Sequence, residues 1–170
     1  HPGITFSGKY FRSVGYDVNL SGKIDFGELE KTVKKEKPKV IFAGTTAYPY
    51  EIDFKKFAEI AEICGAYLIA DISHIVGLIV AGIHPSPTPY ADCITTTTHK
   101  TLRGPRGAII LVTQKGLKKD PELTLKIDRA VFPGLQGGPH NNITAAIAVC
   151  LEEAKTKKFR EYASQVVKNA

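Results

Sequence analysis

An α/β fold with a mostly parallel sheet, one antiparallel strand and helices on both faces is predicted by three features of the 170-residue sequence. Short apolar runs at residues 39–44, 67–70 and 93–98 have the length and β-branched content of buried strands. Amphipathic or Gly/Pro-rich stretches separate them, and strand, helix, strand, crossover, strand is the alternation of a parallel sheet. A fourth run, residues 107–112, follows the third after about eight residues. That is too short for a parallel crossover, so this strand is predicted to run antiparallel.

The elements follow in order from local chemistry. Asp25-Phe26-Gly27-Glu28 has the spacing of a capping box, with Asp25 as N-cap and Glu28 at the third helical position. Phe26, Leu29 and Val33 recur at helical spacing to about Glu36, and Pro38 stops the helix. The first strand (Lys-Val-Ile-Phe-Ala-Gly) then ends at Gly44. Asp53 is predicted to cap a second helix with the stripe Phe54, Phe57, Ala58, Ala61 and Cys64. Gly65 follows, where a left-handed turn costs glycine little. The second strand, Tyr67–Ala70, is closed by Asp71, and a Gly/Pro-rich crossover covers residues 77–91. Pro139 is read as the first residue of a long final helix, whose apolar face is Ile143, Ala146, Ile147, Cys150, Leu151 and Ala154.

Composition bounds the function. Hydrophobic content of 43% and charged content of 24% are those of a soluble globular protein. No apolar run is long enough to span a bilayer, and no leader opens the chain. Cys64, Cys93 and Cys150 are odd in number, far apart and set among apolar neighbours. They read as buried thiols of a reducing compartment, here the cytoplasm. The absence of methionine predicts that the chain is part of a longer one. The net charge of +6 comes from lysines mixed with acids on helix surfaces, without a basic stripe interleaved with aromatics. A nucleic-acid partner is therefore not predicted, although mild positive charge suits an anionic cofactor or substrate.

Ligands of open α/β sheets bind beyond the carboxyl ends of the strands. Those ends carry Thr45 and Thr46, then Asp71 to His74, then Thr97 to Lys100, so hydroxyls, a carboxylate, two imidazoles and an amine share one rim. Lys100 follows the stiff Thr95–Thr98 run and precedes a Gly104-Pro105 turn. It reads as the Schiff-base lysine of a pyridoxal 5′-phosphate enzyme, the alternative being a surface lysine. Asp71 ends an apolar strand, where an unpaired carboxylate is costly to bury; a pyridinium nitrogen satisfies it, and so does a turn cap. His74, one turn beyond, is placed over the cofactor ring, against the alternative of an imidazole satisfied in the core. His99 is assigned to phosphate contact or substrate positioning. The hydroxyls of Thr97 and Thr46 suit phosphate or phenolate oxygens, or serve the strand alone. Gly137-Gly138, ahead of a helix, offers N–H groups to an anion or simply starts the helix. His84, Cys93 and the other histidines lack paired metal-ligand spacing. Asp71, Ser73 and His74 lie too close in sequence for a hydrolase triad, and no G-x-S-x-G elbow is present.

The segments Asp71-Ile-Ser-His74-Ile-Val-Gly-Leu, Ala91-Asp92 and Thr95-Thr-Thr-Thr-His-Lys-Thr-Leu-Arg-Gly-Pro-Arg106-Gly closely resemble serine hydroxymethyltransferases. Ala43-Gly-Thr-Thr-Ala-Tyr48 and Phe132-Pro-Gly-Leu-Gln-Gly-Gly-Pro139 match further motifs of that family, and the similarity runs from about Phe6 to the C-terminus. The resemblance implies an aspartate-aminotransferase-like fold, pyridoxal phosphate, and a homodimer or dimer of dimers. It also implies interconversion of serine and glycine, with tetrahydrofolate as the one-carbon acceptor. By motif, Lys100 is the Schiff-base lysine, Asp71 the pyridinium partner and His74 the ring-stacking histidine, with Thr97 and His99 beside the cofactor. Thr46 stands where the family usually has serine. Arg106 is the family's arginine after the lysine loop, and Gly138 would reach the phosphate of a neighbouring subunit.

Two departures stand out: Ser73 replaces a usual alanine, and His1 is one residue out of register with a family histidine, so no role is assigned to it. The family's N-terminal segment, with an acid/base glutamate, and its C-terminal domain, with a carboxylate-binding arginine, have no counterpart here. The chain is thus expected to be the central part of the large domain. The rival readings are another pyridoxal enzyme of the same fold, such as a cysteine desulfurase or aminotransferase, and a non-catalytic binding protein. The isolated 170 residues are expected to give little or no turnover, which a serine-to-glycine assay on that chain checks.

Overall fold

The computed structural model describes residues 3–170, and His1 lies outside them. After the short helix α1 (Phe6–Tyr10), Asp25 caps α2 (Phe26–Glu36). Its carboxylate accepts the Glu28 N–H at 3.0 Å, meeting one donor that the first turn cannot satisfy internally. Lys37 closes α2 in the left-handed region at φ 46°. Strand β1 (Val40–Ala43) follows. Asp53 then repeats the capping device on α3 (Phe54–Glu62), accepting the Lys56 N–H at 2.9 Å. Gly65, at φ 69°, turns the chain into β2 (Tyr67–Asp71).

The sheet has four strands in the order β1-β2-β3-β4, with β3 spanning Cys93–Thr97 and β4 Ala108–Val112. The first two pairings are parallel and the last antiparallel, as the short connection requires. One face, carrying Ile41, Ala43, Leu68, Ala70 and Ile94, is buried, and α3 packs on its β1 and β2 portion. Phe57 on α3 is fully buried, its ring edge-on to Phe26 at 5.2 Å and to Tyr16 at 5.5 Å. A buried aromatic of this kind contributes about 1.5–3 kcal/mol. On the opposite face the β1 residues Val40 and Phe42 and the β4 residue Ile110 are exposed.

The amino end of the sheet is tied by Asp92, just ahead of β3. Its side chain is 1% exposed; Oδ2 accepts the Leu68 N–H at 2.7 Å and lies 3.8 Å from Lys119 Nζ. That ammonium also donates to Ala66 O at 2.6 Å and lies 4.4 Å from the centre of the Tyr67 ring. Cation and amide thus compensate Oδ2, while the buried Oδ1 has no hydrogen-bond partner among the described residues. This anchorage sits at the end of the sheet opposite the carboxyl ends of β1, β2 and β3.

Several elements depart from the sequence expectation. The crossover contains a helical turn, α4 (Val76–Val80), because a continuous apolar run has no period by which helix can be told from buried coil. Two further short helices, α5 (Gln114–Lys119) and α6 (Leu123–Arg129), follow β4, and residues Ala130–Leu135 form a kinked turn in which Phe132 is extended at φ −131° and ψ 126°. Pro139 is not the first helical residue: α7 runs Asn141–Ala154, and His140 holds the N-cap position, its carbonyl accepting the Thr144 N–H at 3.0 Å. Nor is the last helix continuous. Thr156 ends α7 by donating to Glu153 O at 2.7 Å and starts α8 (Lys157–Asn169) by accepting the Phe159 N–H at 3.2 Å. The α7 face is buried at Cys150 and Ala154, whereas Leu151 is exposed.

Close approach at Gly44 joins fold to site. A Cβ there would lie 2.5 Å from Asp71 O and 2.8 Å from Asp71 Cβ, both on the neighbouring strand. Gly44→Ala is therefore expected to destabilise the full-length protein by about 1–3 kcal/mol through overpacking. Gly15→Ala, in open space, should stay within about 0.5 kcal/mol. Urea unfolding of both variants checks the contrast.

Candidate active site

Three strand ends wall one cleft of about 380 Å³. The loop after β1 contributes Gly44, Thr45 and Thr46; the turn after β2 contributes Asp71, Ser73 and His74; the end of β3 and its turn contribute Thr97 and Lys100. Parallel pairing in the register Ile69↔Cys93, Ala70↔Ile94, Asp71↔Thr95 sets the last two walls side by side. Side chains alternate along a strand, so Asp71, Thr95 and Thr97 share one face.

Hydrogen bonds then fix each group. Lys100 is half-buried, and its ammonium donates to Thr97 Oγ1 at 2.9 Å. Asp71 Oδ1 accepts the Ser73 N–H at 3.0 Å, while Oδ2 makes no hydrogen bond among the described residues. The carboxylate is exposed, contrary to the burial expected from its place at the end of an apolar strand, so it does not bear the desolvation cost of a buried charge. The buried Ser73 hydroxyl accepts the Thr97 N–H at 3.0 Å, extending the β2–β3 ladder by one side-chain bond past the end of β2. His74 is exposed, with Nε2 3.4 Å from Thr46 Oγ1. Thr101, next to the lysine, accepts the Gly77 N–H at 3.0 Å and donates to His74 O at 3.5 Å, so the lysine turn is sewn to the histidine turn. Gly77 is required there, since a Cβ would meet Thr101 O at 2.7 Å.

The turn is also held from outside. Arg103, in the left-handed region at φ 62°, places its guanidinium 4.3 Å from the centre of the Tyr162 ring and 5.6 Å from that of Phe159, both on α8. Its N–H donates to Lys100 O at 2.9 Å. Such cation–π contacts contribute about 0.5–2 kcal/mol. Nothing in the spacing of Thr101, Gly77 or Arg103 marks them beforehand, because their partners are distant in sequence.

The structure thus brings Lys100, Asp71, His74, Thr97 and Thr46 together. His99 and Arg106 are not on the cleft walls, yet they act on each other. Loss of water around the His99 ring, then the charges of Arg106 and Lys100, hold its pKa below the ordinary imidazole value, while the Gly107 backbone pulls the other way. His99 Nδ1 is buried with no hydrogen-bond partner among the described residues. Gly137 and Gly138 are exposed, with open space around both, and do not line this cleft. No group of three or more His, Cys, Asp or Glu side chains among the described residues is placed to hold a metal ion, and no described helix is long and apolar enough to cross a membrane.

A neutral imidazole at position 99 carries a pH consequence. As pH falls below the ordinary histidine range, the unfolded chain takes up this proton before the folded one, so this group's contribution to stability declines through that window until the folded ring also titrates. NMR titration of His99 should show a midpoint below that of a free imidazole. Arg106→Gln should move it upward, and an unmoved midpoint would contradict the electrostatic cause.

A family model described as serine hydroxymethyltransferase matches residues 2–170. The chain is 55% identical over 168 residues to a serine hydroxymethyltransferase of Methanosarcina barkeri, with 98% of the chain and 39% of that relative covered. A serine hydroxymethyltransferase of Desulfotalea psychrophila is 52% identical over 167 residues, with coverages of 98% and 38%. One of Acidothermus cellulolyticus is 55% identical over 168 residues, with the same two coverages. The chain therefore spans less than two fifths of the length of the curated relatives it matches.

Proposed function

Because the chain belongs to the serine hydroxymethyltransferase family, we propose that its cleft binds pyridoxal 5′-phosphate. We further propose that the whole protein transfers a hydroxymethyl group reversibly from serine to tetrahydrofolate, giving glycine and methylenetetrahydrofolate. The observation that carries this reading is the convergence of Lys100, Asp71, His74 and Thr97 on one cleft. The donor set fits the group: a primary amine, a carboxylate oxygen left open, an imidazole and several hydroxyls line a space of about 380 Å³.

When bound, pyridoxal phosphate supplies an aldehyde that condenses with amines and a ring that withdraws electrons from the amino acid's Cα. The roles of the chain's own residues follow. Lys100 offers its amine once it has lost a proton, and the Thr97 hydroxyl 2.9 Å away orients that nitrogen. Asp71, through its unpaired oxygen, would hold the cofactor's ring nitrogen in its protonated form, because a nearby opposite charge favours the charged form. His74 supplies a flat surface for an aromatic ring, and Thr46 steadies its Nε2. His99, poor at holding a proton, serves beside the lysine as a neutral hydrogen-bonding group.

Gly137 and Gly138, exposed and not among this cleft's lining residues, are proposed to present N–H groups to the phosphate bound by a second subunit of a homodimer or dimer of dimers. Arg106 is proposed to act at the cofactor indirectly, through His99. Three free thiols, two of them buried, support a reducing compartment, for which we propose the cytoplasm.

Borohydride reduction of the full-length protein with pyridoxal phosphate, followed by peptide mapping, is expected to place the label on Lys100. Label on another lysine overturns the assignment. Lys100→Ala should abolish labelling. Asp71→Asn should lower serine cleavage by about 100-fold, near 2.7 kcal/mol at 1.36 kcal/mol per tenfold.

A further inference from the structure

His84 is buried, yet it takes no part in the cleft or in any ion pair among the described residues. Both ring nitrogens are used. Nδ1 lies 2.9 Å from Pro85 O, and a carbonyl only accepts, so Nδ1 carries the proton. Nε2 accepts the Ile52 N–H at 3.1 Å, so it carries none. The two bonds demand the same neutral tautomer. The ring also lies edge-on to Phe54 at 6.0 Å, and the His84 backbone N–H donates to Leu78 O at 3.3 Å. His84 thus joins the segment that follows His74 to the end of the loop that carries Thr45 and Thr46.

That loop needs holding. It leaves β1 at Gly44, lines the cleft with Thr45 and Thr46, passes through Ala47 at φ 59°, and reaches Asp53, the cap of α3. The left-handed conformation is costly for alanine and persists only where the surroundings impose it. Tyr48 holds the middle, its hydroxyl accepting the Ile24 N–H at 3.2 Å. Ile52 holds the end: it is 2% exposed, and its buried N–H has His84 as its hydrogen-bond partner. The neighbouring carboxylates are turned elsewhere, Glu51 to solvent and Asp53 onto the Lys56 N–H.

We propose that His84 is a positioning residue, whose unprotonated Nε2 pins the residue 44–53 loop at Ile52 and thereby holds Thr45 and Thr46 at the cleft facing His74. This inference rests on the cofactor reading given above for the cleft's use, but the pin itself is tested without it.

The discriminating set is His84→Gln, His84→Asn and His84→Leu in the full-length protein. Glutamine extends an acceptor toward Ile52, asparagine retains only the shorter reach toward Pro85 O, and leucine fills space with neither. With asparagine or leucine, pyridoxal phosphate affinity and turnover should each fall about tenfold or more, within the range for ångström-scale misplacement of groups at a site. Glutamine should restore most of both. Equal loss in all three, or rescue by asparagine instead of glutamine, overturns the proposal. A second arm needs no variant and no cofactor. In the wild-type apoprotein the Ile52 amide should exchange with deuterium as slowly as interior α3 amides, and exchange as fast as at Glu51 overturns the pin. If wild-type protein binds no pyridoxal phosphate, the reading of the cleft falls, while Ile52 exchange still judges His84.

Discussion

The parallel pairing of β2 with β3 is the constraint on which the site depends, since it decides which side chains meet beyond the strand ends. With Asp71 opposite Thr95, the carboxylate, Thr97 and the following lysine turn fall on neighbouring walls. A slip of one residue would send Asp71 to the opposite face, because the side-chain period of a strand is two. Two features hold the register near its open end. Ile72 N–H still reaches Thr95 O at 2.9 Å, and the Ser73 hydroxyl receives the Thr97 N–H at 3.0 Å where no backbone acceptor remains. Ser73 is thus a structural member of the site.

Around that seam, neighbouring elements approach the backbone at distances that leave no room for a Cβ. Gly44 passes Asp71, Gly77 passes Thr101, and Gly104 lies against Cys150, where a Cβ would meet the sulfur at 2.6 Å. Each contact ties a different element to the rim: the loop after β1, the start of α4, and α7. The lysine turn is therefore gripped from both sides, by Thr101 on the histidine turn and by Arg103 against the aromatic rings of α8. Under the proposed role of Lys100, such bracing would favour the rate, because misplacement of a reacting group is costly.

Local chemistry was legible wherever it was self-contained. Asp25 and Asp53 announced helix starts because a short carboxylate satisfies a first-turn N–H within three residues. The antiparallel turn of β4 followed from the length of its connection alone. The lysine, aspartate and histidine at the rim could be picked out because strand ends are where such sheets bind ligands. What escaped was what depends on distant partners. The helical turn α4 lies in a uniformly apolar stretch, Pro139 was displaced from the helix by the cap geometry of His140, and one threonine at 156 splits the last helix in two.

Sequence by itself settled the order of the strands, the capped starts of α2 and α3, the sense of the sheet and the chemical inventory of the rim, since these rest on periodicity, caps and residue type. Tertiary structure alone decided how that inventory is held. It left Asp71 exposed with one oxygen open, set His99 outside the cleft beneath the influence of Arg106, and turned His84, unremarkable in the sequence, into the acceptor for a buried amide 32 residues away. Hydrogen bonds and charges act through space, and the distances that govern them exist only once the chain has packed.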